Sequence, residues 1–376
     1  MNKNYIFFII FLLCLTGIIT SCANNKPVVQ TPEFTLIVID NHSNSDDLTN
    51  NINFKSQLIK SFERISKNHS ISANFIHLST NGKKDKFTHL HKNINDVLKK
   101  KIKVLFIFNF SDDINNASIE VLEILSNQNP QTLFISNLES SGFSDNVITL
   151  NIDVRETGLN LGYLSSFYIY KQLSNEVLLS RSRTNPETLV DDIYKHRKLE
   201  SNQNNSDIKI AFFAGHSNSE LDWYKAFKYG VEGFNQTYST KYQVDLYQPM
   251  KEQNPEKVRE IAIQAIDNNA KYFVFANSEH LNILLDICRE KRIKIIGTDL
   301  DFYFYFPVYQ DLVIMSGIKD INKLFDYIFE TLVSGNDLPK KLQANFSNNF
   351  VTVSEMRSFN FEVTDKVKNE IKKLSQ

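Results

Sequence analysis

The feature that most limits what this chain can fold into is a repeated alternation. Short unbroken runs of β-branched and aromatic residues are separated by stretches whose apolar residues recur every three or four positions. "FTLIVID" (34–40), "SISANFIHL" (70–78), "VLFIFNF" (104–110), "TLFISN" (132–137) and "VITLNI" (147–152) form a first set of predicted strands. Between them, Phe54, Leu58, Phe62 and Ile65 fall at helical spacing, and "INDVLKKKI" and "ASIEVLEIL" read as helices. After a long helix from about residue 156 to 173 the pattern restarts. "IKIAFFAG", "YQVDLYQ", "KYFVFAN", "IKIIG", "LVIMSGI" and "NFVTVS" read as strands. Between them lie helices at 221–234, "NPEKVREIAIQAI", "EHLNILLDICREK" and "KDINKLFDYIFETLVSGN". Continuous apolar strands without a polar face must be covered on both sides. That requires parallel sheets flanked by helices. Two sets predict an α/β fold of two doubly wound lobes, with ligands bound in the cleft beyond the carboxyl ends of the strands.

That rule turns the chain into a short list of candidate residues. The strand ends deliver Asp40 and Asn41, Asn109 with Asp112 and Asp113, Asn137, "AGHSNSE", Asn277 with Ser278, and Thr298 with Asp299. Carboxylates accept hydrogen bonds from hydroxyls, amides bond in both directions, and nearby rings offer stacking surfaces. The same residue types are also favoured there as caps of the next helix, and "SNSE" (217–220) fits a capping box. The apolar stripe of Trp223, Phe227, Gly230 and Phe234 reads as core. Asp299 and Asp301 in "GTDLDFYFYF" end a buried strand beside a block of rings whose main expected role is packing. No Walker A, GxSxG, HExxH or clustered Cys/His signature occurs, which leaves enzymatic, metal or cofactor chemistry without support.

The N-terminus narrows the setting. Lys3 precedes an apolar segment of about 15 residues, short for a membrane span. It runs into "ITSC", which resembles a bacterial lipobox with Cys22 as the lipidated residue. Residues 1–21 read as a lipoprotein signal peptide and 22–32 as a flexible tether. Cys14 leaves with the signal, so Cys288 would stand alone and no intramolecular disulfide is expected. Lys and Arg total 42 against 43 Asp and Glu, a balance that argues against nucleic acid as a partner. Lobe 1 is predicted at 33–153 plus about 298–335, and lobe 2 at about 154–297 plus 336–376. The hydrophilic stretch 174–207 reads as an insertion or loop in lobe 2.

The order of motifs resembles the basic membrane protein family, lipoproteins described as purine-nucleoside receptors of ABC transporters. "NVITLNIDVRETGLNLGYLSSF" (146–167) is similar to the family's entry into its long helix, through Glu156, Gly158, Gly162, Tyr163 and Leu164. "KIAFFAG…AFKYGVEGF", "NPEKVREIAIQAIDNNAKYFVFA" and "IIGTDLD…VIMSGIKDI" resemble the units that follow. The resemblance implies a type I periplasmic-binding-protein fold closing on a nucleoside, with an ABC permease as partner and no enzymatic activity. It also implies that Asp299 and Lys319 grip the ribose hydroxyls. Asn137 stands where the family has a base-reading aspartate. Phe54 and Asp47 are loose counterparts in the first lobe, and Asn277 replaces a glycine-rich turn. Two other readings stay open: a receptor for a sugar or another small polar solute, and a surface interaction lipoprotein that kept the fold but lost the ligand site.

Overall fold

A computed structural model describes residues 34–40, 54–111, 114–182, 208–215, 217–249, 254–276, 280–356 and 365–374, with side chains except at 54 and 174–182. The expected signal peptide, tether, Cys22, Asp47 and Asn277 lie outside the described residues, as does 183–207 of the expected insertion. Its first nine residues, 174–182, instead continue the long helix.

The apolar runs become two six-stranded sheets. The first holds β1 (Phe34–Asp40), β2 (Ala73–Ser79), β3 (Val104–Asn109), β4 (Leu133–Ser136) and β5 (Val147–Ile152), with helices α1 (Phe54–Asn68), α2 (Lys86–Leu98) and α3 (Asn115–Gln128) between them. Helix α4 (Arg155–Ser182) crosses to the second unit. That unit holds β6 (Lys209–Ala214), α5 (Asn218–Tyr238), β7 (Gln243–Tyr247), α6 (Pro255–Asp267), β8 (Ala270–Ala276), α7 (Leu281–Lys291) and β9 (Lys294–Gly297). It continues through the one-turn α8 (Phe302–Tyr305) into β10 (Val313–Lys319). Helix α9 (Ile321–Val333) returns to the first lobe, followed by β11 (Lys341–Ala344). Strand β12 (Val351–Val353) and α10 (Asp365–Leu374) end in the second lobe.

The strand orders are β11-β5-β4-β3-β1-β2 and β12-β10-β9-β8-β6-β7. All described pairings are parallel except β10 with β12. Each sheet therefore reverses its order once, between β1 and β3 and between β6 and β8, the points at which this architecture opens a crevice. Each sheet carries a buried apolar cluster on both faces, so no strand needs a wet side.

The lobe boundaries differ from the sequence expectation. Residues 313–319 were assigned to lobe 1, yet β10 pairs with β9 in the second sheet. Residues 341–344 were assigned to lobe 2, yet β11 extends the first sheet beside β5. Only α9 of the 298–335 segment packs on the first lobe, where Phe325, Ile328 and Phe329 join the cluster of Phe34, Phe62 and Phe106. The physical reason is that each sheet has an open edge, and the tail strands fill those edges rather than following chain order. Cys288 is buried and unpaired. No described helix is long and apolar enough to cross a membrane.

Candidate functional site

The carboxyl ends of the second sheet converge on a small buried polar cluster. Asp299 follows β9 in a left-handed backbone conformation, φ +67°, which costs an ordinary side chain energy and is tolerated best by Gly, Asn and Asp. Its neighbours pin it there. Thr298 donates from Oγ1 to the Phe275 carbonyl at 2.8 Å, and the Lys319 N–H donates to the Asp299 carbonyl at 3.0 Å. The carboxylate is 4% exposed. Its Oδ1 lies 2.7 Å from the Lys319 ammonium and accepts the Trp223 indole N–H at 2.8 Å. Both contacts fall on the same oxygen, so Oδ2 receives no hydrogen bond from the described residues. Lys319 also donates to the Ser219 hydroxyl at 3.2 Å.

The expected pairing of Asp299 with Lys319 is thus present in the geometry. One detail differs: Lys319 ends β10 rather than opening the helix, and the α9 N-cap is Asp320, whose side chain accepts from the Lys323 N–H. Asp301, two residues from Asp299, does unrelated work by capping α8 through the Tyr303 N–H. The rings after it divide as expected in the main. Phe302 and Phe306 are buried in the second lobe's core. Tyr305 is the exception, since its hydroxyl donates across to Gln57 Oε1 of α1 at 3.0 Å, joining one lobe to the other. Phe304 is 65% exposed.

Three further residues complete this cluster: Ser219 and Glu220, from the strand-end stretch "AGHSNSE" marked as a candidate in the sequence, and Trp223, which the sequence assigns to the core. Trp223 belongs to the core stripe, as its spacing predicts, but its N–H reaches out of that core to Asp299. Ser219 and Glu220 lie in the first turn of α5, where Ser217 and Glu220 form the predicted capping box. Glu220 is 8% exposed. Burial pushes its carboxyl up to about 7, the negative charge of Asp299 adds to this, and the Ser217 hydrogen bonds and Lys319 oppose it. The local signals were the strand-end position and the capping box; the nearness to Asp299 comes from the tertiary fold.

The first sheet presents its own polar groups. Asp40, at the end of β1, accepts from His77 Nε2 at 2.8 Å and lies 3.5 Å from the Lys55 ammonium. Lys55 sits 5.4 Å from the centre of the Phe110 ring. Asn137 is used inside the protein: its Oδ1 accepts the Asn109 N–H and its Nδ2 donates to the Asn109 carbonyl, both at 2.8 Å. Asn109 in turn turns its amide onto Ser111 and Asn115. Phe54 opens α1, one turn from Gln57. No group of three His, Cys, Asp or Glu side chains that could hold a metal occurs among the described residues.

A scan of family models gives no match, and a search of curated proteins gives none either. Solved structures do resemble the chain. A solute-binding protein of an ABC transporter system from Aeropyrum pernix K1 superposes with a TM-score of 0.63 at 12% identity, over 92% of this chain and 90% of that one. A transcriptional activator of the comK gene from Bacillus halodurans gives 0.60 at 14% identity, over 91% and 96%. A periplasmic solute-binding protein from Actinobacillus succinogenes 130z with bound D-allose gives 0.53 at 12% identity, over 90% and 99%. The chain has the two-lobed α/β fold of ABC-transporter solute-binding proteins of the type I periplasmic kind.

Proposed function

We propose that the protein is a solute receptor, tethered to a bacterial membrane through lipid on Cys22, that delivers a hydroxyl-bearing solute to an ABC permease. A purine nucleoside held by its ribose is the leading ligand class. The observation that carries this reading is Asp299: a buried carboxylate with Oδ1 occupied by Lys319 and Trp223 and Oδ2 left to accept. Two vicinal hydroxyls are suitable donors for such a group, and the adjacent ammonium holds its other oxygen in place. The left-handed backbone at Asp299 fixes its direction, which is the preorganisation that makes a binding contact worth its full strength. Asn137 enters the reading as a brace for the end of β3 rather than as a reader of the base. A receptor for a free sugar is the second reading, because the D-allose-bound neighbour shares the fold and the same carboxylate chemistry serves a pyranose. Both readings make the chain a binding protein and not an enzyme.

The test is thermal unfolding of residues 23–376 against adenosine, guanosine, inosine, D-ribose, D-allose and the free bases. A solute at about 100 times its dissociation constant adds roughly 2.7 kcal/mol and raises the midpoint visibly. A shift with nucleosides and none with free bases supports a ribose grip, and a shift with hexoses alone moves the assignment to the sugar reading. No shift with any of them would overturn the receptor reading in favour of a surface interaction lipoprotein. Asp299→Asn, which the left-handed backbone tolerates, should weaken binding by roughly 100-fold or more while leaving the circular dichroism unchanged.

A further inference from the structure

Glu220 sits on α5 between Ser219, which accepts from Lys319, and Trp223, which donates to Asp299, yet has no part in gripping the solute as proposed above. Its position is fixed. Oε2 accepts the Ser217 N–H at 3.1 Å, while the Ser217 hydroxyl accepts the Glu220 N–H at 3.3 Å. The carboxylate occupies the space above Gly215 at the end of β6, where a Cβ would stand 2.5 Å from Oε2. Gly215 is therefore the residue that lets an acid fill the β6 end, next to the sheet's reversal between β6 and β8.

Among the described residues the charges around it do not balance. The charges of Asp299, in the turn after β9, and of Lys319, at the end of β10, both act on it, the first raising and the second lowering its carboxyl. Among the described residues, the β7 side contributes the neutral amide of Gln248, which donates to the Gly215 carbonyl at 2.9 Å. Its own helix contributes the Ser217 and Ser219 hydroxyls, and Asp222 one residue before Trp223. His216 lies outside the described residues. Among the described residues, with every group ionised, Glu220 and Asp299 stand with the Lys319 ammonium, and all three side chains are nearly excluded from water. A neutral solute seated over them removes the remaining water that screens the excess negative charge. Asp299 already has two donors on Oδ1, the Lys319 ammonium and the Trp223 indole. Glu220, whose hydrogen bonds come from one serine, is the group free to take a proton from solvent.

Resting on the receptor reading above, we propose that Glu220 takes up a proton when a neutral, hydroxyl-rich solute binds, so that affinity falls as pH rises through neutrality. The proton comes from bulk water and lands on the glutamate; no bond of the solute changes. The burial that already lifts this carboxyl to about 7 places the effect in the physiological range.

The experiment is calorimetric titration of the wild-type protein with adenosine and, separately, D-ribose at pH 6, 7 and 8, each in two buffers of different ionisation enthalpy. The expected result is net proton uptake at pH 7 and a dissociation constant that rises with pH, up to about tenfold for each unit by which binding raises the carboxyl. Glu220→Gln, which keeps the capping box, should remove both the slope and the buffer dependence. His216→Gln should keep them. A flat wild-type profile, a slope that survives Glu220→Gln, or a slope lost in His216→Gln would overturn the proposal while leaving the receptor reading standing. Absence of binding by both probes at every pH, together with no thermal shift by any solute of the panel above, would overturn both.

Discussion

At the scale of single residues, the second lobe's polar cluster makes a prediction that needs no ligand. The Glu220 carboxyl titrates near 7 in the folded protein because burial penalises its charge, and near the ordinary 4.3 when unfolded. A raised value means that its contribution to stability is fully present below about pH 4.3 and is lost as pH rises through 7. Above neutrality the buried charge costs up to about 4 kcal/mol, one pKa unit being worth about 1.4. Urea midpoints of the wild type should therefore fall between pH 5 and 8 relative to Glu220→Gln, and parallel profiles would show that Glu220 is better solvated than its burial implies. The sequence carried half of this site. Asp299 stood out because a buried run breaks at a glycine and ends in acid, and the capping box of Ser217 and Glu220 was legible from its spacing. The donor that locks Asp299 was not, because Trp223 lies 76 residues earlier in a stripe whose spacing indicates core. Asn137 was misleading for a related reason. A strand-end amide suits a ligand as well as it suits a neighbouring peptide, and here it closes on Asn109.

At the scale of elements, the second lobe depends on the close approach of α4 and α5. A Cβ on Gly162 would overlap the carbonyl oxygen of Phe227, and one on Gly230 would overlap that of Leu159. These are backbone atoms, so a flexible side chain cannot move aside. Gly230→Ala should destabilise the protein by roughly 3 kcal/mol or more, read as a large drop in the urea midpoint. Ala is the better helix former, so a gain in stability would mean that the helices can separate at little cost. The same helices carry Tyr163 and Tyr238, whose hydroxyls donate to Glu370 at 2.9 and 3.1 Å and so tie down α10. Burial and that carboxylate raise both phenols, Tyr238 to about 12. Helix α10 and strand β11 escaped the sequence reading. Strand β11 is four residues, "KLQA", with no apolar run, and it exists because β5 offers an unpaired edge. Helix α10 buries only Val367 and Ile371 within a charged segment, and that single i, i+4 pair is easily passed over. Long elements with continuous apolar runs, by contrast, were legible because burial on both faces writes them into the sequence.

At the scale of the molecule, three crossings link the lobes: β5 into α4, β10 into α9, and β11 into β12. The two-lobe plan was legible from the restart of the alternation, whereas the ownership of the tail strands was not, since either sheet edge could accept a short strand. Away from the crossings, the Tyr305 hydroxyl reaches from α8 of the second lobe to Gln57 on α1 of the first. Gln57 sits in the first turn of α1, close to the end of β1, so this bond spans the rim of the cleft. A single neutral hydrogen bond contributes about 1 kcal/mol net. If the lobes exchange between apart and together, Tyr305→Phe should shift that equilibrium toward the open form by about fivefold. The ring itself packs on the second lobe's core and is kept in the variant, so the melting temperature should change little. Small-angle scattering of the ligand-free protein should give a larger radius of gyration for Tyr305→Phe and for Gln57→Ala than for the wild type. The double variant should add nothing further, because either change alone already breaks the bond. Equal radii for all four proteins would mean that the three chain crossings alone hold the lobes at this angle.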